Sequence, residues 1–317
     1  MQEASPAVPS PRRSLVWRAF ATVVTAVSLA WVGWLLMSVW PELASHRGDI
    51  RPDLLFVGTI LSIFSAYLTF EAFVALVRIF GISGLPRLQL AHLHFTAQLL
   101  KHLPGRIWGI GYQWTYGKSA GSLGDWLLVN IAHMALVSYF AVGSALFVLG
   151  VATGARLGIL AAAMGVFFYV AGWLLVSADR SSRLVARLPG RAGRLLHELF
   201  ELLKRAPWET RIRVMMIFLL SWLIYYASWY LYGKSYPPLG GDGGIQLCAY
   251  YMLAWLAGYV ALLTPSGLGV RELVFAWLAK DFSGDSVALM AVVGRVSLLS
   301  VDVVLGCIFA PFVPRRP

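Results

Sequence analysis

Apolar residues along this chain come in runs longer than the core of a soluble domain needs. Ala19–Trp40 and Leu54–Val77 hold 22 and 24 residues, and Glu71 is the only charge in either. About 20 apolar residues suffice to carry a helix across roughly 30 Å of hydrocarbon. Six segments reach that length, at about 17–40, 54–77, 126–149, 157–177, 213–232 and 287–310. Two further apolar stretches are interrupted: Leu88–Lys118 at Leu103-Pro104-Gly105, and Gln246–Lys280 at Thr264-Pro265-Ser266-Gly267. Their arms of roughly 14–18 residues would give only about 21–27 Å of helix. Backbone opened by a Pro-Gly break at membrane depth is tolerated only inside protein or beside a watery cavity. Both stretches therefore read as helical hairpins that enter and leave on the same side.

This pattern predicts an all-α polytopic membrane protein with six full spans and two re-entrant hairpins. Residues 54–150 and 214–310 each run span, hairpin, span, but start on opposite sides. Pro104 and Pro265 lie 161 residues apart, close to the spacing of the two blocks. Interrupted segments at matching places in oppositely oriented halves are the sequence signature of an inverted-repeat transporter. The expected organisation is a disordered tail over 1–14 and one transmembrane domain over 15–317, with a basic connector at 178–213. In that connector, Arg183, Arg187, Arg191 and Arg194 alternate with leucines and Val185. It reads either as a helix on anionic lipid or as an ordinary solvated linker.

Composition narrows the class. Apolar residues make up 59% of the chain and charged ones 13%, against a usual charged share of about 25%, which excludes a soluble enzyme. The net charge of +11 does not point to nucleic acid, because the cations gather between apolar runs. With the N-terminus inside, the inner loops collect seventeen Lys and Arg and the outer loops five. The positive-inside rule then predicts a multi-pass protein of a bacterial or archaeal plasma membrane with both termini cytoplasmic. Arg12, Arg13 and Arg18 precede a first run too long for a signal peptide, so it reads as a retained span. Cys248 and Cys307, both in apolar segments, read as small buried hydrophobes. His92 and His94 fall where the first hairpin meets the interface. Most of the 13 Trp, Trp126 and Trp229 among them, fit interfacial belts.

The sequence has no H-E-x-x-H, C-x-x-C or P-loop motif, and no catalytic residue, metal or cofactor is expected. What stands out are ionisable residues at membrane depth, where charge is costly and marks function. The first hairpin carries Lys101, His102 and Arg106 around Gly105; the second carries Arg271 and Glu272 after Gly267 and Gly269. Each break starts a new helix whose free N–H groups favour an anion, and an arginine there can grip phosphate with a fork of hydrogen bonds. The alternatives are that Arg271 braces a carboxylate and that Lys101 and Arg106 snorkel outward. The spans add Glu71, Asn130, His133, Arg295 and Asp302. Glu71, His133 and Asp302 come at similar depth by residue count, either as a proton relay or as a polar clasp between helices.

Two segments, QLLKHLPGRIWGIG (Gln98–Gly111) and LLTPSGLGVRELVFAWL (Leu262–Leu278), resemble the paired signatures of the lysylphosphatidylglycerol synthase transmembrane family. That family includes the flippase portion of the multiple peptide resistance factor, and the span pattern agrees over about residues 15–310. The resemblance implies movement of a lipid with a phosphate-containing head group between leaflets. Many members carry an acidic residue and an arginine after the first Pro-Gly, where this chain has Trp108, Gly109 and Gln113. The P-G-R-I-W version is similar to stand-alone members of polysaccharide or isoprenoid-lipid pathways. It implies an isoprenoid-phosphate-linked sugar or a phospholipid as cargo, and glycolipid-pathway enzymes as possible partners. No aminoacyl-transferase domain is expected. The rival readings are a membrane-embedded transferase acting on such a lipid, and a non-transporting subunit of a glycolipid-assembly complex.

Overall fold

A computed structural model describes residues 51–102, 107–153, 159–160, 162–167, 169–170, 203–235, 244–260, 267 and 269–314, with a few isolated positions besides. The first expected span, most of the basic connector, Arg106, Gly105 and the two prolines at the breaks lie outside the described residues. All regular structure among the described residues is helical. In chain order the helices are α1 (Pro52–Ile79), α2 (Arg87–Leu100), α3 (Ile107–Gly117), α4 (Leu123–Thr153), α5 (Trp208–Lys234), α6 (Gly244–Val260), α7 (Val270–Leu278) and α8 (Gly284–Phe309). Helices α1, α4, α5 and α8 are long and apolar enough to cross a membrane. The protein is thus a helical, multi-pass membrane protein. Helices α2, α3, α6 and α7 are shorter, at 14, 11, 17 and 9 residues.

Local sequence explains the helix ends. Pro52 occupies the first turn of α1, where a missing N–H costs nothing. Asp125 Oδ2 accepts the Ser122 N–H at 2.7 Å while Ser122 Oγ accepts the Asp125 N–H at 3.2 Å, a reciprocal cap for α4. Ser283 caps α8 by accepting the Ser286 N–H.

Helices α1 and α5 run antiparallel and pack along most of their length: Gly58 faces Tyr232, Ser62 faces Ser228, and Ser65 faces Ser221. Around this pair the packing nearly survives exchange of the first four helices for the last four. The exchange maps α2–α8 onto α6–α4, α2–α3 onto α6–α7, and α1–α8 onto α5–α4. Each set also has one close backbone approach at small residues. In the first set, a Cβ on Gly109 would fall 3.0 Å from the Ala97 carbonyl oxygen. In the second, Gly258 holds the place of Ala97, 161 positions on, and meets Gly267. The second of these contacts falls just before α7 begins.

Several sequence expectations are corrected by the packing. His92 and His94 are buried rather than interfacial, because α2 is clamped between α8 and the Phe73 face of α1. Trp126 and Trp229 are fully buried. Gly117 leaves room for the first, which donates to the Gly117 carbonyl at 3.3 Å, and Gly294 leaves room for the second. Cys248 is buried as expected, but Cys307 is exposed on the outer face of α8.

Gly267 has φ +73°, and a Cβ there would lie 2.5 Å from the Gly258 backbone. Gly267→Ala should therefore destabilise the protein by about 2–4 kcal/mol through left-handed strain and overpacking. Gly111→Ala, in open space within α3, should be neutral or stabilising by up to about 1 kcal/mol. Thermal unfolding of both variants in lipid checks the contrast; equal effects would contradict the close crossing.

Candidate functional site

The spacing of polar residues on α1 and α5 builds the first wall of the site. Ser62, Ser65 and Thr69 recur every three or four residues and so share one face of α1. Ser221 and Ser228 do the same on α5, two turns apart. The two faces interlock: Ser62 Oγ lies 2.6 Å from Ser228 Oγ, and Ser221 Oγ lies 3.0 Å from both Ser65 Oγ and Thr69 Oγ1. Ser228 also donates to the Gly58 carbonyl at 2.7 Å. These hydroxyls satisfy one another across the helix pair, and the small side chains let the helices approach closely.

Beside this ladder lies a cavity of about 120 Å³ in the middle of the bundle. Ser62, Ser65, Thr69 and Ser221 form its hydroxyl side. Helix α2 and the residue after it add His94, Gln98 and Lys101; α4 adds His133; α8 adds Ser297 and Asp302. The opposite wall is aromatic, with Trp222, Tyr225 and Trp229 from α5 and Trp255 and Tyr259 from α6. Trp255 and Tyr259 stack on each other at 4.8 Å. Both helix sets therefore contribute to one amphipathic chamber.

Its charge sits at one edge. Asp302 Oδ2 lies 2.8 Å from both Lys101 Nζ and His102 Nε2, and Lys101 also donates to Gln98 Oε1 at 3.2 Å. The Asp302 and Lys101 side chains are only 10% and 22% exposed. The carboxylate of α8 thus ties down the end of α2, and Lys101 points inward instead of snorkelling. His133 is turned elsewhere, its Nε2 3.4 Å from the Thr69 carbonyl and its ring edge-on to His94 at 5.5 Å. Glu71 is paired with Arg87 outside the chamber. The three residues expected at one depth are hence not joined: His133 and Asp302 line the same cavity, and Glu71 does not. Asn130 donates to Gln113 Oε1 and to the Trp126 carbonyl, each at 2.7 Å, tying α4 to α3.

The second motif forms a separate cluster. Gly269, at φ +81°, begins α7, and its N–H donates to Glu272 Oε2 at 2.9 Å. Glu272 Oε1 takes Arg295 Nε at 2.9 Å and Nη2 at 2.5 Å. Arg295, from α8, is the nearer brace for this carboxylate, and Arg271 pairs with it at longer range. Arg271 is 3% exposed, its Nε 3.7 Å from Glu272 Oε1 and without a hydrogen bond among the described residues. The guanidinium carbon stands 5.5 Å from the centre of the Tyr251 ring, a cation–π distance. Tyr251 in turn stacks on Trp229 at 4.4 Å. Tyr251 and Trp229 thus link Arg271 to the chamber wall.

The hydroxyl ladder and the aromatic wall were not among the residues expected from the sequence. The signal was present: Ser62, Ser65, Thr69, Ser221 and Ser228 interrupt two apolar spans at helical spacing, where hydroxyls are usually passed over as neutral. Among the described residues, no group of His, Cys, Asp and Glu is placed to hold a metal.

Removing one partner of a buried ion pair strands the other. Asp302→Leu should cost roughly 3 kcal/mol by leaving Lys101 beside a neutral side chain, and Lys101→Met in the same protein should recover most of the loss. Thermal unfolding of the two single variants and the double variant tests this; strictly additive losses would contradict the pairing.

Compared with protein-family models and with curated protein sequences, the chain matches none, and its functional reading rests on the chamber and its ion pair.

Proposed function

We propose that this protein is a lipid flippase that moves a phosphate-bearing lipid, an isoprenoid-phosphate-linked sugar or a phospholipid, between leaflets. Its architecture in this reading is an inverted repeat. Helices α2–α3 and α6–α7 are re-entrant hairpins, and six full spans include the segments at 17–40 and 157–177. The termini are cytoplasmic, in a bacterial or archaeal inner membrane. The observation that carries the proposal is one polar chamber, lined from both helix sets, with an ion-paired lysine at its edge. Charge held that deep in an apolar bundle marks a path for a charged group, and sites of this kind form where two repeats meet.

Each wall has a part to play. Lys101 supplies a point charge and His102 a ring N–H donor to a phosphate oxygen, once Asp302 has let them go. The hydroxyls of Ser65, Thr69 and Ser221 replace water around the rest of the head group. Trp222, Trp255 and Tyr259 offer flat apolar faces to a sugar ring while the lipid tails stay in the bilayer. In this reading the helices part further to admit a whole head group. Arg271, with an orphan donor near the second break, is the next phosphate ligand along the path.

The proposal is tested by reconstituting the protein in vesicles with a head-group-labelled phosphoglycolipid and following its exchange between leaflets. Lys101→Gln should slow exchange about tenfold or more, the worth of one charge-assisted hydrogen bond. Arg271→Ala should also slow it, and Arg271→Lys should recover only part, because an ammonium lacks the fork. Unchanged exchange in a folded Lys101→Gln protein would remove the chamber from the path. The transferase reading is favoured by one observation, that Asp302 and His133 both line the chamber. Head-group cleavage by the purified protein would support it over transport.

A further inference from the structure

A second cavity, of about 420 Å³, lies at the arginine-rich end of the bundle, away from the chamber. Three separate segments converge on it: the last turns of α1 bring Arg78, the first residue of α2 brings Arg87, and α5 with its approach brings Arg213 and Arg205. Glu71 is the only carboxylate in its lining, and it is already engaged by Arg87, which also donates to the Tyr67 hydroxyl at 2.7 Å. Arg78, Arg205 and Arg213 make no ion pair among the described residues. The inner wall is apolar, formed by Val74, Ala75, Ile79, Ala206 and Pro207, with the exposed Trp208 next in sequence.

The positive-inside rule accounts for arginines in loops but not for four of them, from three segments, around one pocket. Gathering like charges costs free energy unless an anion joins them. Guanidinium groups select phosphate through paired N–H donors, and basic pockets between transmembrane helices hold lipid head groups. The apolar wall favours an amphiphile over a free ion. We infer that this pocket binds the phosphate head group of an anionic phospholipid, with the glycerol and upper chains lying against Val74, Ile79 and Pro207. The site is distinct from the chamber and does not rest on the transport reading. Its lipid would clamp α1, α2 and α5 together at the membrane surface.

The test is thermal unfolding of the full chain in detergent with a zwitterionic phospholipid, an anionic phospholipid or inorganic phosphate added. The anionic lipid should raise the unfolding temperature by about 5 °C at saturation, and the zwitterionic lipid much less. Arg78→Gln with Arg213→Gln, both at exposed positions, should abolish that difference without changing the unfolding temperature in zwitterionic lipid. Glu71→Gln removes the competing carboxylate and should lower the anionic lipid concentration needed for half the effect. If the double variant already unfolds earlier in zwitterionic lipid, Arg78→Lys with Arg213→Lys makes the same comparison with charge retained, and a reduced anionic shift is expected. An equal shift in parent and arginine variants would overturn the inference, as would inorganic phosphate reproducing the whole effect.

Discussion

The antiparallel contact between α1 and α5 is the constraint on which the other helices depend. Hydrocarbon offers no hydrogen bonds, so two spans that carry serines must turn them toward each other. Ser62, Ser65, Thr69, Ser221 and Ser228 do so, and Gly58 brings the backbones close enough for the hydroxyls to reach. That contact maps onto itself when the two helix sets are exchanged. It leaves each short pair no place but against the last long helix of the opposite set, α2 on α8 and α6 on α4.

The same constraint makes the chamber. Hydroxyls that saturate one another along a helix pair leave a polar strip facing inward, and the short helices are too short to cover it completely. Charge enters at the one place where an opposite charge is within reach, with Lys101 and His102 on Asp302. At the second break the logic differs. Glu272 is shared between the Gly269 N–H and Arg295, which leaves Arg271 buried with an unused donor against Tyr251. One cationic site is neutralised within the protein and the other only partly, a difference between the two helix sets.

Much of the fold was legible in the sequence, because span length and Pro-Gly breaks are local properties. The long helices α1, α4, α5 and α8 fall where unbroken apolar runs predict them, and the short pairs α2–α3 and α6–α7 flank the two breaks. The site was legible only in part. Lys101, Asp302 and His133 stand out as ionisable residues in apolar surroundings, but their partners are set by tertiary packing. Residue count puts Glu71 at the depth of His133, yet the turn after Ile79 brings Arg87 back onto it. The burial of Trp126 and Trp229 depends on glycines elsewhere in the chain, Gly117 and Gly294, which composition cannot reveal. Serines in an apolar run carry no charge to draw notice, although their spacing already fixes one face.

The most direct measurement of the chamber's role is an electron cryo-microscopy structure of the protein in lipid nanodiscs containing a phosphoglycolipid. Phosphate density within hydrogen-bond distance of Lys101 Nζ, with Asp302 moved away and the head group between Ser221 and Trp255, is the expected result. Lysine still paired with Asp302 and lipid confined to the outside of the bundle, under saturating lipid, would contradict it.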